Sequence, residues 1–452
     1  MAVVDRLDVI PHRRTRHRSG STVIAGIVLL GTLATVTCWW ARLPDLHHAG
    51  PGDVATVTAQ LAGLVASVLV CLQLLLIARV PWLANAIGLA SMVSWHRVVG
   101  TAVLILIVVH VVLAVLGGML LARQTAWSQL IITMVGSSDL VQALVGTALI
   151  VGAGLTSARV ARSRLRYEWW HAVHLGVYVG IYLSFAHQVN AGDHFVDSVA
   201  MRATWISLYV LTAVLIVVGR VLVPWSGFLA QRVRVEGVVP ETTDVASVWL
   251  TGSRLHRLRV RPGQFFFVRF ITPGHVWSAH PYSVSLLPNR GRMRFTIGGV
   301  GDHSSRTRQL KPGTRVLLEG PYGSFCATRS TVCGALLIAG GSGVGPIVAL
   351  ARELCLRGRD VVVIQRASSA EQLPLRDEIA RLELRFVPVI GRRSELGHDP
   401  LRPTSLREIV PDVDGREAFV CGSAGLVRSA SSALQTLGVP AERIHREELA
   451  LA

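Results

Sequence analysis

Long apolar runs that are almost free of charge dominate the first half of the chain. Most of them reach the ~20 residues that cross a ~30 Å hydrocarbon core as a helix, so six membrane-spanning helices are predicted. The predicted spans are Thr22–Ala41, Val54–Ala78, Val98–Ala122, Leu140–Ala158, Trp169–Val189 and Ala203–Gly219. For the first run a cleaved signal peptide is the alternative, but the run is long and lacks a clear small-residue cleavage site.

The pattern changes in the second half of the chain. After Pro224, short β-rich runs such as Gln264–Phe270 alternate with turn residues, which predicts a small antiparallel barrel. From about Val332, apolar strands alternate with helix-length segments, which predicts an open α/β sheet. The predicted fold class is therefore a membrane all-α six-helix bundle, an antiparallel β-barrel and an α/β domain. The predicted boundaries are a basic tail at 1–20, a transmembrane domain at 21–223, the barrel at 224–330 and the α/β domain at 331–452.

The composition also indicates a chain that lies partly in lipid. Of the 452 residues, 51% are hydrophobic and 16% are charged, a high apolar fraction for a soluble protein. The formal charge of +17 rests almost entirely on arginine, which recurs throughout the chain. This distribution argues against a nucleic-acid partner. The six cysteines form neither a CxxC pair nor a zinc spacing, which argues against a disulfide framework or a metal knuckle.

Arginine also predicts the orientation of the spans. It clusters in the N-terminal tail, at Arg79 and Arg97, and in the run from Arg159 to Arg166, and positively charged loops favour the cytoplasmic side. The alternate loops carry more aspartate, which suits the outer face. We therefore predict a multi-pass protein of the cell membrane with both termini in the cytoplasm.

Histidines lie inside or just before the third and fifth predicted spans, where an ionisable residue is costly and most often functional. His96 and His110 are 14 residues apart on the third span, so both rings leave nearly the same face, ~21 Å apart along the axis. The fifth span runs in the same direction and carries His174 and His187, so each can face a histidine of the third span. Paired imidazoles fill both axial positions of a haem iron, which predicts two stacked haems that transfer electrons.

The spacing on the fifth span leaves an alternative open. The 13 residues between His174 and His187 place the two rings about 140° apart on an ideal helix, so helix curvature or a π-bulge is expected. In the alternative, the histidines form polar interhelical contacts or relay protons. Three nearby glycines would let a flat macrocycle approach the backbone: Gly100, Gly176 and Gly180.

The order of these features resembles the NADPH oxidase and ferric reductase family. In that family, six helices with paired histidines on the third and fifth precede a flavin and a nicotinamide domain like those of ferredoxin-NADP reductase. The resemblance covers nearly the whole chain and implies electron transfer from NAD(P)H through FAD and two b-type haems. The external acceptor would be oxygen, giving superoxide, or a ferric chelate. It also implies that 224–330 binds FAD and 331–452 binds NAD(P)H.

Two segments resemble the flavin motifs of the family. His280-Pro281-Tyr282-Ser283 is similar to its basic-x-aromatic-Ser/Thr motif. By analogy, Tyr282 stacks on the isoalloxazine, Ser283 hydrogen-bonds near its reactive nitrogen and His280 meets the pyrophosphate. A second segment resembles the flavin-phosphate loop, whose backbone and hydroxyl groups cradle phosphate. The residues expected to bind FAD in this segment are Thr296, Ile297, Gly298 and Ser304.

A glycine turn and a later cysteine predict the nicotinamide site. The turn follows an apolar strand and opens a helix, whose N-terminus favours a pyrophosphate. Its expected binding residues are Gly340, Gly341, Gly343, Val344 and Pro346. Cys421-Gly422 resembles the Cys-Gly-Pro element of the family, which implies that Cys421 lies near the hydride path; a buried strand-end cysteine is the alternative. Arg366 and Ser368 follow the next strand, where a 2′-phosphate would be read, which favours NADPH over NADH.

Two other functions are compatible with the sequence. The first is a haem-bearing subunit that serves a partner reductase. The second is a six-helix proton- or ion-conducting protein with a regulatory nucleotide domain. On the favoured interpretation, the partners are NAD(P)H, oxygen or a ferric chelate, and the lipid bilayer, and Tyr282, Ser283 and Cys421 are the catalytic residues.

Overall fold

The fold is described from a computed structural model of the chain. The structure describes residues 20–41, 49–158, 164–165, 167–190, 198–273, 275, 279–299, 307–327 and 332–448. The chain divides into two compact units, Met1–Val218 and Gly219–Ala452.

The first unit is helical. Its helices are α1 Gly20–Trp40, α2 Pro51–Ile77, α3 Pro81–Ile87, α4 Leu89–Ala122, α5 Ala126–Gly136, α6 Ser138–Ser157, α7 Tyr167–Asn190 and α8 Val199–Val217. Five helical stretches among the described residues are long and apolar enough to cross a membrane. These are Thr22–Trp40, Pro51–Ile77, Ser91–Ala122, Ser138–Ser157 and Val199–Gln231. The 24-residue α7 is long enough but is not among the five, and its three histidines lower its mean hydropathy.

Small residues let the helices of this unit pack closely. Ala55, Ala59, Ala62 and Ala66 are buried at a spacing of three or four residues along α2, which packs against α4. Where α6 meets α7, a methyl group on Gly146 would lie 2.5 Å from the carbonyl oxygen of Gly180. Close backbone approach of this kind replaces the hydrophobic effect as the packing force within lipid.

Two short helices were not predicted from the sequence. Pro81 occupies the first turn of α3, and Gly88, with φ 90°, follows its last residue. In α5, the Thr125 hydroxyl caps the helix by accepting from the Ser128 amide. Neither apolar run is long enough to span a bilayer, so the hydropathy pattern that identifies the longer helices does not distinguish them from loops.

The second unit begins with helix α9 (Val223–Gln231) and an antiparallel sheet. Its strands are β1 Arg234–Pro240, β2 Val245–Thr251, β3 Phe265–Phe270, β4 His280–Asn289, β5 Arg292–Gly298 and β6 Val316–Tyr322, in the order β1-β2-β5-β4-β3-β6. Its two edges meet, because Arg234 bridges Arg315 and the Val235 amide donates to the Thr314 carbonyl. Along β3, burial alternates strictly, as expected for strands with one face on a core.

A parallel sheet follows in the same unit. Its strands are β7 Gly334–Gly340, β8 Asp360–Ala367, β9 Arg385–Ile390, β10 Glu417–Gly422 and β11 Ile444–Glu448, in the order β11-β10-β7-β8-β9. The accompanying helices are α10 Val344–Leu356, α11 Arg376–Ala380, α12 Arg393–Leu396, α13 Pro403–Ile409 and α14 Ala424–Thr436. Separate apolar clusters cover the two faces, which explains the continuous apolar runs of β7 and β8. The order of helical region, antiparallel sheet and parallel α/β sheet agrees with the order predicted from the sequence.

Candidate functional site

The four histidines of the first unit form two pairs. The ring centroids of His96 on α4 and His174 on α7 are 6.3 Å apart, and those of His110 and His187 are 6.4 Å apart. Two imidazole nitrogens that each bind one metal at about 2 Å place the ring centroids about 6 Å apart. Each pair therefore has the separation of two axial ligands of one iron. Helix α7 is α-helical throughout, so both rings reach α4 without the expected π-bulge.

The backbone orients the two histidines of α4. His110 Nδ1 lies 2.8 Å from the Ala59 carbonyl oxygen, and His96 Nδ1 lies 3.1 Å from the Gln73 carbonyl oxygen. Because a carbonyl oxygen only accepts, Nδ1 carries the proton in both rings. The lone pair of each ring is then on Nε2, the atom that could bind a metal; in His96 it lies 3.3 Å from Gln73 Nε2.

A side-chain hydroxyl orients His174 instead. Ser157 Oγ donates to the Ala153 carbonyl at 2.7 Å, which uses its only hydrogen. It must therefore accept from Trp170 Nε1 at 3.1 Å and from His174 Nδ1 at 3.3 Å. The Trp170 ring also stacks on the imidazole, with centroids 5.2 Å apart. The sequence analysis did not identify Ser157 or Trp170, since their role depends on the packing of α6 against α7.

The glycines near the histidines have different surroundings. A methyl group on Gly176 would meet no atom within 4 Å, which leaves the room that a flat macrocycle needs. Gly180 instead packs on the α6 backbone at Gly146, so its expected role beside a macrocycle is wrong. Gly100 faces the Gln73 amide, which lies 3.3 Å from His96 Nε2 and must turn away before a metal can bind there.

The proposed flavin motif occupies the first four residues of β4, His280–Ser283. The rings of His280 and Tyr282 stack with centroids 6.3 Å apart. Burial raises the pKa of Tyr282 to about 12, although its hydrogen bond with Thr307 acts in the opposite direction. Burial, and then the charge of His275, lowers the pKa of His280. Both effects favour the neutral form of this imidazole.

Ser283 contacts a carboxyl group that the sequence analysis did not assign. Its Oγ donates to Glu447 Oε1 at 3.1 Å, and Glu447 on β11 lies beside Cys421 in the strand register. Burial raises the pKa of Glu447 to about 7, although the Ser283 hydrogen bond lowers it. Burial and then Glu447 raise the pKa of Cys421, which is fully buried and remains a thiol. A hydroxyl, a carboxyl group of raised pKa and a neutral thiol thus lie near the proposed flavin motif.

The glycine turn packs tightly against the same strands. Gly341 has φ 55°, and a methyl group on Gly343 would lie 2.4 Å from the Cys421 carbonyl oxygen. Val344 and Pro346 are buried in the first turn of α10. A methyl group on Gly345 would touch Ser285 and Thr296 at 3.4 Å, so the start of α10 lies against β4 and β5. The two nucleotide-binding segments predicted from the sequence are therefore neighbours.

The remaining predicted residues are placed as follows. Thr296 and Ile297 are buried on β5, and Gly298 ends that strand. Ser304 lies outside the described residues. The Arg366 guanidinium donates to the Val389 carbonyl at 3.1 Å and also contacts the carbonyls of Ala367 and Gly391. In this structure it holds the end of β9.

Comparisons with known proteins match both parts of the chain. Residues 62–185 match the family described as ferric reductase like transmembrane component; the range includes three of the four histidines and ends before His187. The chain is 27% identical over 239 residues to an NADPH oxidoreductase of Mycobacterium tuberculosis, which is 49% of this chain and 60% of that protein. It is 29% identical over 232 residues to the ferredoxin reductase component of 3-ketosteroid-9-alpha-monooxygenase of Mycolicibacterium smegmatis, 48% of this chain and 64% of that one.

A solved structure is also similar, the ferredoxin reductase in carbazole 1,9a-dioxygenase. Its identity is 22% and its TM-score 0.43, over 49% of this chain and 69% of that chain. The chain spans less than two thirds of the length of the two curated relatives. The predicted resemblance is confirmed: residues 62–185 are similar to a ferric reductase-like transmembrane component, and about half of the chain is similar to an NADPH oxidoreductase and a ferredoxin reductase component.

Proposed function

We propose that this chain, a ferric reductase-like membrane domain joined to a flavin reductase module, transfers electrons from NAD(P)H across the membrane to an external acceptor. NADPH is the favoured donor, and oxygen or a ferric chelate is the acceptor. A bound FAD would accept two electrons from NAD(P)H as a hydride and release them one at a time. Two b-type haems would then accept these single electrons.

The observation that carries the proposal is the pairing of histidines at two levels. His96 with His174 and His110 with His187 have equal ring separations of 6.3 and 6.4 Å. Interhelical contacts or a proton relay would require neither the similar spacing nor the Nδ1 contacts that place the lone pair on Nε2. Three protein groups fix those Nδ1 atoms: the carbonyls of Gln73 and Ala59 and the hydroxyl of Ser157.

Residues of the second unit would bind NAD(P)H and FAD. Gly341 and Gly343 let the turn before α10 approach a pyrophosphate, and His280 and Pro281 begin the strand that faces the flavin. Tyr282, a neutral phenol, would cover the ring of a bound flavin and exclude water from it. Cys421 packs beside the glycine turn as a neutral thiol.

The protonation state of Glu447 determines which group the Ser283 hydroxyl donates its hydrogen to. An ionised Glu447 holds the Ser283 hydrogen through the 3.1 Å contact. A protonated Glu447 can donate to Ser283 instead, which would leave the Ser283 hydrogen able to bond to the reactive nitrogen of a bound flavin. With a pKa of about 7, both states are present at physiological pH.

The acceptor is tested by comparing two products from the purified protein supplied with NADPH. Superoxide is measured in air, and reduction of a ferric chelate is measured in oxygen-free buffer. His110→Leu is expected to abolish both activities while flavin reduction by NADPH continues. If both product rates survive this substitution, the path through two haems is wrong. A chain that reduces neither acceptor, but does reduce an added haem or iron–sulfur protein, would be an electron-transfer subunit for a partner.

A further inference from the structure

A basic cavity lies at the end of the antiparallel sheet that is remote from the flavin motif. Its volume is about 630 Å³, and its lining residues are Arg232, Thr251, Gly252, Ser253, His256, Arg290 and Gly291. The flavin motif begins β4, whereas Arg290 follows the last residue of that strand. Ten residues of extended strand cover ~30 Å. The cavity therefore belongs to neither the flavin site nor the nicotinamide site.

The lining carries cationic and hydroxyl groups and no acidic side chain. In the part of the chain that the structure describes, no hydrogen bond or ion pair engages the side chains of Arg232 and Arg290. Nearby Arg292 is different, since it pairs with Glu236 and lies 5.5 Å from the Trp249 ring centroid. The two cavity arginines thus keep their donors for a ligand, and guanidinium groups suit phosphate in particular.

The backbone brings these groups together from three separate segments. Arg232 and Arg290 have φ values of 49° and 48°, in the left-handed region that side chains other than glycine seldom adopt. The Gly252 amide donates to the Gly291 carbonyl at 2.9 Å, and a methyl group on Gly252 would lie 2.9 Å from the Gln231 carbonyl oxygen. Close approach at Gly252 therefore fixes the cavity between the end of α9, the end of β2 and the β4–β5 turn.

The cavity begins where the last apolar helical stretch ends. Val199–Gln231 is long and apolar enough to cross a membrane, and Arg232 is the next residue. Its 33 residues span at most ~50 Å, close to the ~45 Å of a bilayer with its head groups. Trp225, in the last part of the stretch, is 56% exposed. Exposed tryptophan is enriched at the level of the lipid head groups. A stretch of this length that begins at one head-group layer would bring Arg232 to the phosphates of the other.

We propose that this cavity binds a phosphate group and that the head group of an anionic lipid supplies it. The neighbouring loop adds positive charge at Arg254, Arg257, Arg259 and Arg261, which attracts an anionic leaflet. Bound lipid would hold the antiparallel sheet at the membrane surface. The same contacts suit a free phosphate compound, and the experiment below separates the two sources.

The test uses the full-length protein in nanodiscs of phosphatidylcholine with or without phosphatidylglycerol. Hydrogen–deuterium exchange at residues 251–257 and 289–292, and native mass spectrometry of retained lipid, report binding. Phosphatidylglycerol should protect both segments. Arg232→Gln combined with Arg290→Gln should lower its retention about tenfold or more, because two charge-assisted bonds are lost. Ser253→Glu, on the exposed loop, should also lower phosphatidylglycerol retention, because it adds a negative charge to the cavity while both arginines remain.

Arg376→Gln with Arg381→Gln is the matched control, because it removes two exposed charges from the parallel-sheet region. It should retain phosphatidylglycerol as the unsubstituted protein does. Inorganic phosphate and glycerol 3-phosphate, added to phosphatidylcholine nanodiscs, form the soluble arm. Protection by these compounds equal to that by phosphatidylglycerol would overturn the lipid source. Equal lipid retention by the cavity variants and the control would overturn the site itself. Lipid retention and hydrogen–deuterium exchange are measured without electron transfer, so they can fail independently of the proposed function. The flavin content of each variant shows whether it is folded.

Discussion

The hydroxyl of Ser157 gives His174 a different environment from the histidines of α4. A carbonyl oxygen accepts from His96 and His110, whereas His174 meets a hydroxyl that already serves Ala153 and Trp170. A hydrogen bond to Nδ1–H makes an imidazole more basic and stabilises the oxidised metal. At the scale of the residue, Ser157 would therefore lower the reduction potential of the proposed haem that His96 and His174 hold.

Ser157→Ala should raise the midpoint potential of one haem by about 20–60 mV, the one-electron equivalent of about 0.5–1.5 kcal/mol for a hydrogen bond. Spectroelectrochemical titration of the purified protein measures it. Thr156→Ala is the matched control, because Thr156 bonds only to α6 carbonyls in the recorded contacts. An unchanged midpoint potential in Ser157→Ala would show that Ser157 does not influence the haem.

Glu447 predicts a pH dependence. Its folded pKa of about 7 lies above its ordinary value of 4.5, so the folded state favours the protonated form. The associated stability is present at low pH and is lost as the pH rises through about 7. Flavin reduction by NADPH, followed by stopped-flow absorbance, should slow over the same interval as the Ser283 hydrogen is captured.

Glu447→Gln should flatten both pH profiles and keep the rate near its low-pH value, because a carboxamide stays neutral and can donate to Ser283. The adjacent exposed Glu448→Gln is the control and should leave the profiles unchanged. A titration near pH 7 that persists in Glu447→Gln would mean that another group governs the rate.

Sequence spacing explains some of these residues and not others. His96 and His110 follow from a 14-residue interval on one helix, a purely local property. Ser283 and Glu447 are 164 residues apart, and their contact exists only because β11 joins the parallel sheet beside β10. Ser157 and Trp170 likewise lie on two helices whose relative rotation no local pattern specifies.

At the scale of secondary-structure elements, a buried ion pair joins strand β5 to helix α11. Arg294 NH1 and NH2 bond to the Glu378 carboxylate at 2.7 and 2.8 Å, and its Nε donates to Ser285 Oγ at 3.0 Å. Burial raises the pKa of Glu378, but the bonds and charges of Arg294 and Arg352 outweigh it and lower the pKa overall. The pair fixes the antiparallel sheet to the parallel one, beside the start of α10.

Glu378→Gln should destabilise the second unit by about 3 kcal/mol, because a guanidinium that is 5% exposed loses its anion. Chemical unfolding followed by flavin fluorescence measures the change. Glu236→Gln, which breaks the exposed pair with Arg292, should have a much smaller effect. An equal decrease in the free energy of unfolding in Glu378→Gln and Glu236→Gln would show that the Arg294 pair has no special structural role.

The long elements could be predicted and the short ones could not. Apolar length alone identifies α1, α2, α4, α6 and α8, whatever their packing. The change of pattern at Pro224 comes before the first strand, since a proline is tolerated in the first turn of a helix and the chain continues as α9 to Gln231. The strands followed from alternation and turns, but the contact between β1 and β6 depends on sheet curvature.

At the scale of the whole molecule, the arginine distribution predicts that NADPH is oxidised on the cytoplasmic side. Sealed right-side-out vesicles that contain the protein should not oxidise added NADPH, whereas inverted vesicles should. Detergent treatment should make the two preparations equal. Rapid oxidation by intact right-side-out vesicles would place the nicotinamide domain outside and reverse the predicted orientation.

The central claim is that two histidine pairs hold two haems, and haem content measures it most directly. The purified chain should contain two b-type haems, with low-spin bands in its reduced-minus-oxidised spectrum. His96→Leu with His174→Leu, and separately His110→Leu with His187→Leu, should each leave one haem. Flavin content should stay constant in both. Absence of low-spin haem bands from the flavin-loaded protein, or a loss of haem unrelated to the pair removed, would contradict the account.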